Sequence, residues 1–257
     1  AQGAGNILLA ANGSNNDLTV NADINSSTGH ITLMAADAIS INADVSTADS
    51  GTISIDAQGS DLVMAGTSDI TATDSSVRLS AANNIALGNI TAMDVSVLAD
   101  AGSITNAVGS TMNVSAMNLR LAADDAIATN ARHLTTTVDT LSALSTGTDT
   151  AGIFITETDH LTVGSVAVSV TQMNADASTT VMTDGAQSGL TTLSNNGDIV
   201  LSTVNGVIVI NQGVVAQGAG NILLAANGSN NDLTVNADIN SSTGHITLMA
   251  ADAISIN

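Results

Sequence analysis

Residues 1–42 read AQGAGNILLAANGSNNDLTVNADINSSTGHITLMAADAISIN, and residues 216–257 repeat that string without one substitution. A perfect duplication of this length suits an architecture in which each unit needs only a neighbour like itself to stack on. Residues 1–215 are therefore expected to be one tandem unit, and residues 216–257 the start of the next identical unit, continuous with the same solenoid. The chain has the look of a window cut from a longer array.

A shorter repeat lies inside the long one. The motif Gly-x-Ile-x-Leu-x-Ala occurs at Gly5–Ala11 and Gly29–Ala35, and with Ile for Leu at Gly51–Ala57. Weaker versions surround Val77, Val95, Leu119, Ile153 and Ile199. The first apolar positions 7, 31, 53, 77, 95 and 119 are spaced by 24, 22, 24, 18 and 24 residues. Apolar and polar residues alternate within each motif, the period of a strand with one buried face. A second short apolar segment follows, as in Leu18-Thr19-Val20 and Ile39-Ser40-Ile41, and then a third apolar point at Ile24, Val45, Ile70 and Ile90. Asn, Asp, Gly and Ser separate them, the residues of turns.

Strands this short do not stand alone. If the chain returns above itself every ~22 residues, equivalent strands pair in parallel at ~4.8 Å per coil. The expectation is an all-β fold, a parallel β-helix or β-solenoid of about 22 residues per coil. Parallel crossovers favour a right-handed winding. Dividing 215 by about 22 gives about ten coils per unit.

The expected core ladder is Ile7, Leu9, Ile31, Leu33, Ile53, Ile55, Val77, Leu79, Val95, Val97, Leu119, Leu121, Ile153, Ile155, Ile199, Leu201, Ile222, Leu224, Ile246 and Leu248. Polar alternates such as Thr32, Ser54 and Arg78 are expected to point outward. Composition agrees. The chain has no Pro, which fits coils that must each donate backbone N–H groups to a neighbour. It has no Trp or Tyr and a single Phe, Phe154, leaving a narrow interior to aliphatic residues.

The strings GNILLAA, GHITLMAADAISINADV and GTISIDAQGSDLVMAG resemble the coils of filamentous haemagglutinin-type exoproteins and related giant repetitive surface proteins of bacteria. The resemblance covers most of the chain and is one of composition and period. It implies a secreted or surface-displayed β-helical fibre, often adhesive.

Net charge is −20, with three Arg and no Lys. So few cations neutralise few phosphates, which argues against a nucleic-acid partner and against an anionic membrane surface. No apolar run approaches the ~20 residues of a membrane span. The expected partners are neighbouring copies of the same repeat, end to end, with lateral filament contacts as a further surface.

Chemistry-bearing residues are sparse. Asp124-Asp125 are adjacent carboxylates, but neighbours in a strand face opposite sides, so a solvated turn is expected there. His30 and its copy His245 have no His or Cys partner at metal-ligand spacing and are expected at the surface. Arg78 and Arg120 fall on outward alternates, offsetting acidic charge. No enzyme and no cofactor are expected. Calcium is the metal that recurrent turn oxygens would suit, at Asn15-Asn16-Asp17, Asp37, Asp61, Asp74, Asn83-Asn84 and Asn195-Asn196-Gly197-Asp198. The glycine-rich calcium nonapeptide is absent, and diffuse screening is preferred. Thr-x-Thr does not recur once per coil, as an ice-binding face would require.

From about Thr129 to Leu193 the rhythm is hard to phase, and Glu157, His133, Phe154 and His160 fall there. The reading reached is a structural filament or stalk at a bacterial cell surface, extracellular and not catalytic. The alternative is an adhesin that recognises carbohydrate or another surface through residues 129–193, discriminated by whether that segment projects from the helix.

Overall fold

The computed structural model describes residues 2–147, 152–193 and 196–257. Among the described residues it is all strand and turn, wound as a β-solenoid with three strands to a coil. The first coil shows why. Ile7–Ala11, Leu18–Val20 and Ile24–Ser26 each turn alternate residues inward, and Asn, Gly, Ser and Asp make the corners between them.

The sides are defined by which strands pair. Side A stacks Ile7, Ile31, Ile53, Val77, Val95, Leu119 and Leu141 in parallel register. Side B stacks Leu18, Ile39, Leu62, Ile85 and Ile104, and then a single bridge at Ile127. Side C stacks Ile24, Val45, Ile70, Ile90 and Val114. Ile31, Leu33, Ile53, Ile55 and Leu79 are fully buried, and the aliphatic interior forms one continuous cluster. Backbone donors and acceptors are used between coils, which is why proline is missing.

The turn oxygens have a consistent use. A side-chain oxygen at one corner accepts the backbone N–H of the next coil. Asn6 Oδ1 takes His30 N–H at 2.8 Å and Asp61 Oδ1 takes Asn84 N–H at 2.9 Å. Asn84 Oδ1 takes Ser103 N–H at 2.9 Å, and Asp198 Oδ1 takes Asn221 N–H at 2.7 Å. Asn and Asp abound because each corner needs one short acceptor to clip coil to coil.

Two expectations are corrected. The core ladder is not one column. Residues 7–121 of it stack on side A, but Ile153, Ile199, Ile222 and Ile246 form a second column that rises from Ile127 of side B. Ile153–Glu157 lies across the end of side B and the start of side C, since Ile153 pairs with Ile127, Ile155 with Leu134 and Glu157 with Thr136. The five-residue strands thus move away from side A, and three-residue strands (Leu190–Thr192, Val214–Ala216, Ile239–Ser241) replace them there. Most ladder residues are buried; Ile7, Leu9 and Leu248 are partly buried, and Ile246 is 45% exposed because no further coil of this chain stacks on it.

The second correction is the coil count. Starting from Ile7, the side A column reaches the Val214 coil after eight coils, and the copy of Ile7, Ile222, follows on the next strand. The unit winds eight coils and a fraction, not ten, because residues 165–188 leave the path. They form an antiparallel hairpin of Ser165–Met173 and Thr179–Ser188. At its base Gly189 N–H donates to Gly164 O at 2.9 Å, so the coil runs on as if the insertion were absent. Gly189 has φ +74°, and a Cβ there would sit 2.1 Å from Gly213 O, so only glycine fits this exit.

Candidate functional site

The hairpin lies flat along side A rather than projecting from it. Its first strand runs lengthwise over five coil steps. Ser142 Oγ donates to Gly189 O at 3.2 Å at the base, and Met173 N–H donates to Thr32 Oγ1 at 2.8 Å near the tip. Five steps of ~4.8 Å match the length of nine extended residues, ~27 Å, so the hairpin fits the surface it covers. Val166, Val168 and Val170 alternate downward and are buried, and Met173 at the end of the strand is buried as well.

Beneath them sit the outward alternates of side A. Thr32, Ser54, Ser96 and Ser142 point out of the solenoid and are nevertheless fully covered. Their small side chains let a second layer approach the sheet. Thr52 Oγ1 donates to Thr171 O at 3.0 Å and accepts Thr171 N–H at 2.9 Å. Gln187 Nε2 donates to Leu121 O at 2.9 Å.

Arg78 and Arg120 belong to the same seam, not to open solvent. Arg78 Nε donates to both oxygens of Asp184, at 3.1 and 3.0 Å, with both side chains 11% exposed. Arg120 Nη1 reaches Ser96 Oγ at 3.4 Å, but Arg120 Nε and Gln187 Oε1 have no hydrogen-bond partner among the described residues. Burial pulls the Arg120 guanidinium below its ordinary value, while Asp184 acts in the opposite sense. Asp184 is thus bonded to Arg78 alone, and its charge acts on the Arg120 guanidinium from a distance.

His30 is half-buried at this seam and accepts Thr52 N–H on Nδ1 at 3.1 Å; burial lowers its pKa. Its copy His245 is exposed, as expected for both. Asp124 and Asp125 are exposed and accept from Thr146 Oγ1 at 2.9 Å and Ser103 Oγ at 3.2 Å, so they clip coils like the other corner residues. Among the described residues, no group of three or more His, Cys, Asp or Glu is placed to hold a metal. Of the calcium candidates, Asn195 lies outside the described residues, as do residues 148–151 of the irregular segment.

Sequence reasoning missed Glu157. Parity exposes it: Ile153, Ile155 and Glu157 share one face of a strand, and that face is the interior. Glu157 fills the last position of its five-residue strand, the position that Ala35 and Ala57 occupy in earlier coils. It is fully buried, and four donors converge on it. Thr136 Oγ1 and Val138 N–H reach Oε2 at 2.7 and 3.2 Å; Thr158 and Asp159 N–H reach Oε1 at 2.9 and 3.4 Å. Desolvation outweighs these bonds and raises its pKa to about 7.

An acid whose pKa is higher folded than unfolded binds more protons in the native state between the two values. Stability is then greatest below pH ~4.5, falls as pH rises to about 7, and is flat above. A shift of this size corresponds to about 3 kcal/mol. Urea titrations across pH 4–8 are expected to show this loss, and Glu157→Gln is expected to flatten it. An equally steep profile in the Gln variant would assign the effect to other groups.

The cavity of about 360 Å³ bordered by Val235, Ile239, Ile246, Leu248 and Ile256 is the solenoid interior at its last coil, not a cleft with converging polar groups. Comparison with protein-family models, with curated proteins and with solved structures gives no match.

Proposed function

We propose that this chain is a length-building element of a rod, a structural filament or stalk displayed outside a bacterial cell, with a mechanical role and no catalysis. The observation that carries this reading is the 42-residue copy. It stacks on the coils before it with the same parallel ladder, Ile199 to Ile222 to Ile246, and no interface separates the units. Load along the axis is shared by three columns of backbone hydrogen bonds over a dry aliphatic interior. The partner of one unit is the next copy. The −20 charge keeps neighbouring rods apart unless cations bridge them.

A second reading, an adhesin, draws on one feature: Thr179–Ser188 is the outer strand of the hairpin, exposed along most of its length, with Val181 66% exposed. Electron microscopy of the native protein, with and without a calcium chelator, separates the two. Uniform rods with a ~4.8 Å axial repeat, unchanged by the chelator, are expected. Compact particles that never associate would remove the rod and leave the surface-binding reading in first place.

A further inference from the structure

The two copies of the same 42 residues do not sit on the same side of the solenoid. Their internal pairings are identical: Ile7 with Ile31 recurs as Ile222 with Ile246, and Leu18 with Ile39 recurs as Leu233 with Ile254. Even the corner clip recurs, with Asn6 Oδ1 to His30 N–H at 2.8 Å matched by Asn221 Oδ1 to His245 N–H at 3.0 Å. Yet Ile7–Ala11 belongs to side A, whereas Ile222–Ala226 stands in the column that rises from Ile127 of side B and the start of side C. Above side A stand instead the three-residue strands Val214–Ala216 and Ile239–Ser241, over Ala143 to Ser145, with Ile210 and Val235 over its first position, Leu141. Each coil has been turned as a body.

The cause is arithmetic. With the hairpin out of the path, the 215-residue period is not a whole number of coils. The solenoid tolerates this because each side asks for the same thing, an apolar-polar-apolar strand with its apolar residues inward. A perfect sequence repeat can therefore continue out of phase with the winding.

The hairpin makes this turn visible on the surface. It is held by outward residues of its own unit: Thr32, Thr52, Arg78 and Ser142, with Leu121 O accepting from Gln187. The copies of the tip seat are Thr247 and Met249, standing for Thr32 and Met34, which Met173 N–H and Gln172 Nε2 contact. Thr247 and Met249 are exposed, Met249 at 51%, and they face a different side. We propose that this uncovered seat receives the hairpin of its own following unit, so that successive units carry their hairpins on different sides of the rod, each turned by about a third to a half of a turn and ~40 Å further along. The proposal rests on the rod reading.

Such an array has no bare side. The outer hairpin strands wind around the rod, and any partner lying along one side, a second rod included, meets a hairpin only at intervals of two or three units. Contacts along a straight partner would then be sparse and spaced by ~80–120 Å.

Cryo-electron microscopy of the native tandem protein tests this by the azimuth of the extra surface layer on consecutive units. A layer that steps by a third to a half of a turn every ~40 Å is the expected result. A continuous rod whose hairpins all lie on one line would overturn the inference and leave the rod intact. Particles with no stacked coils would overturn both.

Discussion

Leu79→Asp is expected to destabilise the coils around it by about 5 kcal/mol or more. Leu79 is fully buried on side A, stacked between Ile55 and Val97. Removing the leucine forfeits ~2 kcal/mol of apolar burial. Placing a carboxyl among aliphatic side chains adds several more, whether it ionises or takes up a proton. Because each coil touches only its neighbours, the damage should stay local, so urea unfolding followed by far-ultraviolet circular dichroism should resolve an early transition ahead of the main one. Leu79→Val, which keeps the interior apolar, should cost only ~1 kcal/mol. An Asp variant within ~1 kcal/mol of the parent would mean that the interior is not dry at this level.

The second large effect is at the hairpin. Asp184→Ala leaves Arg78 under the hairpin without its carboxylate, and breaking a buried pair by removing one partner costs ~3 kcal/mol or more. The solenoid does not depend on this contact, since Gly164 and Gly189 close the coil beneath it. The expected outcome is therefore selective: amide exchange in residues 165–188 rises by roughly 100-fold while the coil strands keep their protection. Arg78→Ala combined with Asp184→Ala should be milder than Asp184→Ala alone, because a charge of each sign leaves together. Unchanged exchange in the single variant would assign the docking to Val166, Val168, Val170 and Met173 instead.

Much of the winding was legible along the chain. The 22–24-residue spacing and the alternation at Ile31-Thr32-Leu33 and Ile53-Ser54-Ile55 depend only on neighbours in sequence, and the strands fall there. The turn residues were also legible as turns, though their reason, clipping the next coil, was not. Arg78 illustrates the limit. Its parity correctly points it out of the interior, but parity cannot say whether solvent or another layer lies beyond. Its carboxylate partner is 106 residues away. Glu157 failed differently: its parity was visible in Ile153-Phe154-Ile155-Thr156-Glu157, but a charged residue does not register as part of an apolar pattern.

By itself, the sequence determined a stack of short parallel strands with an aliphatic interior and a long exact repeat, because hydrophobic period and turn chemistry act over a few residues. Only the tertiary structure decided which strand lies above which. That choice removed residues 165–188 from the path, laid them over Thr32, Ser54 and Ser96, and set Ile222 on a different side from Ile7. The phase of a solenoid is the accumulated length of every corner and insertion before it. No local pattern records that sum, so two identical segments of one chain come to face different directions.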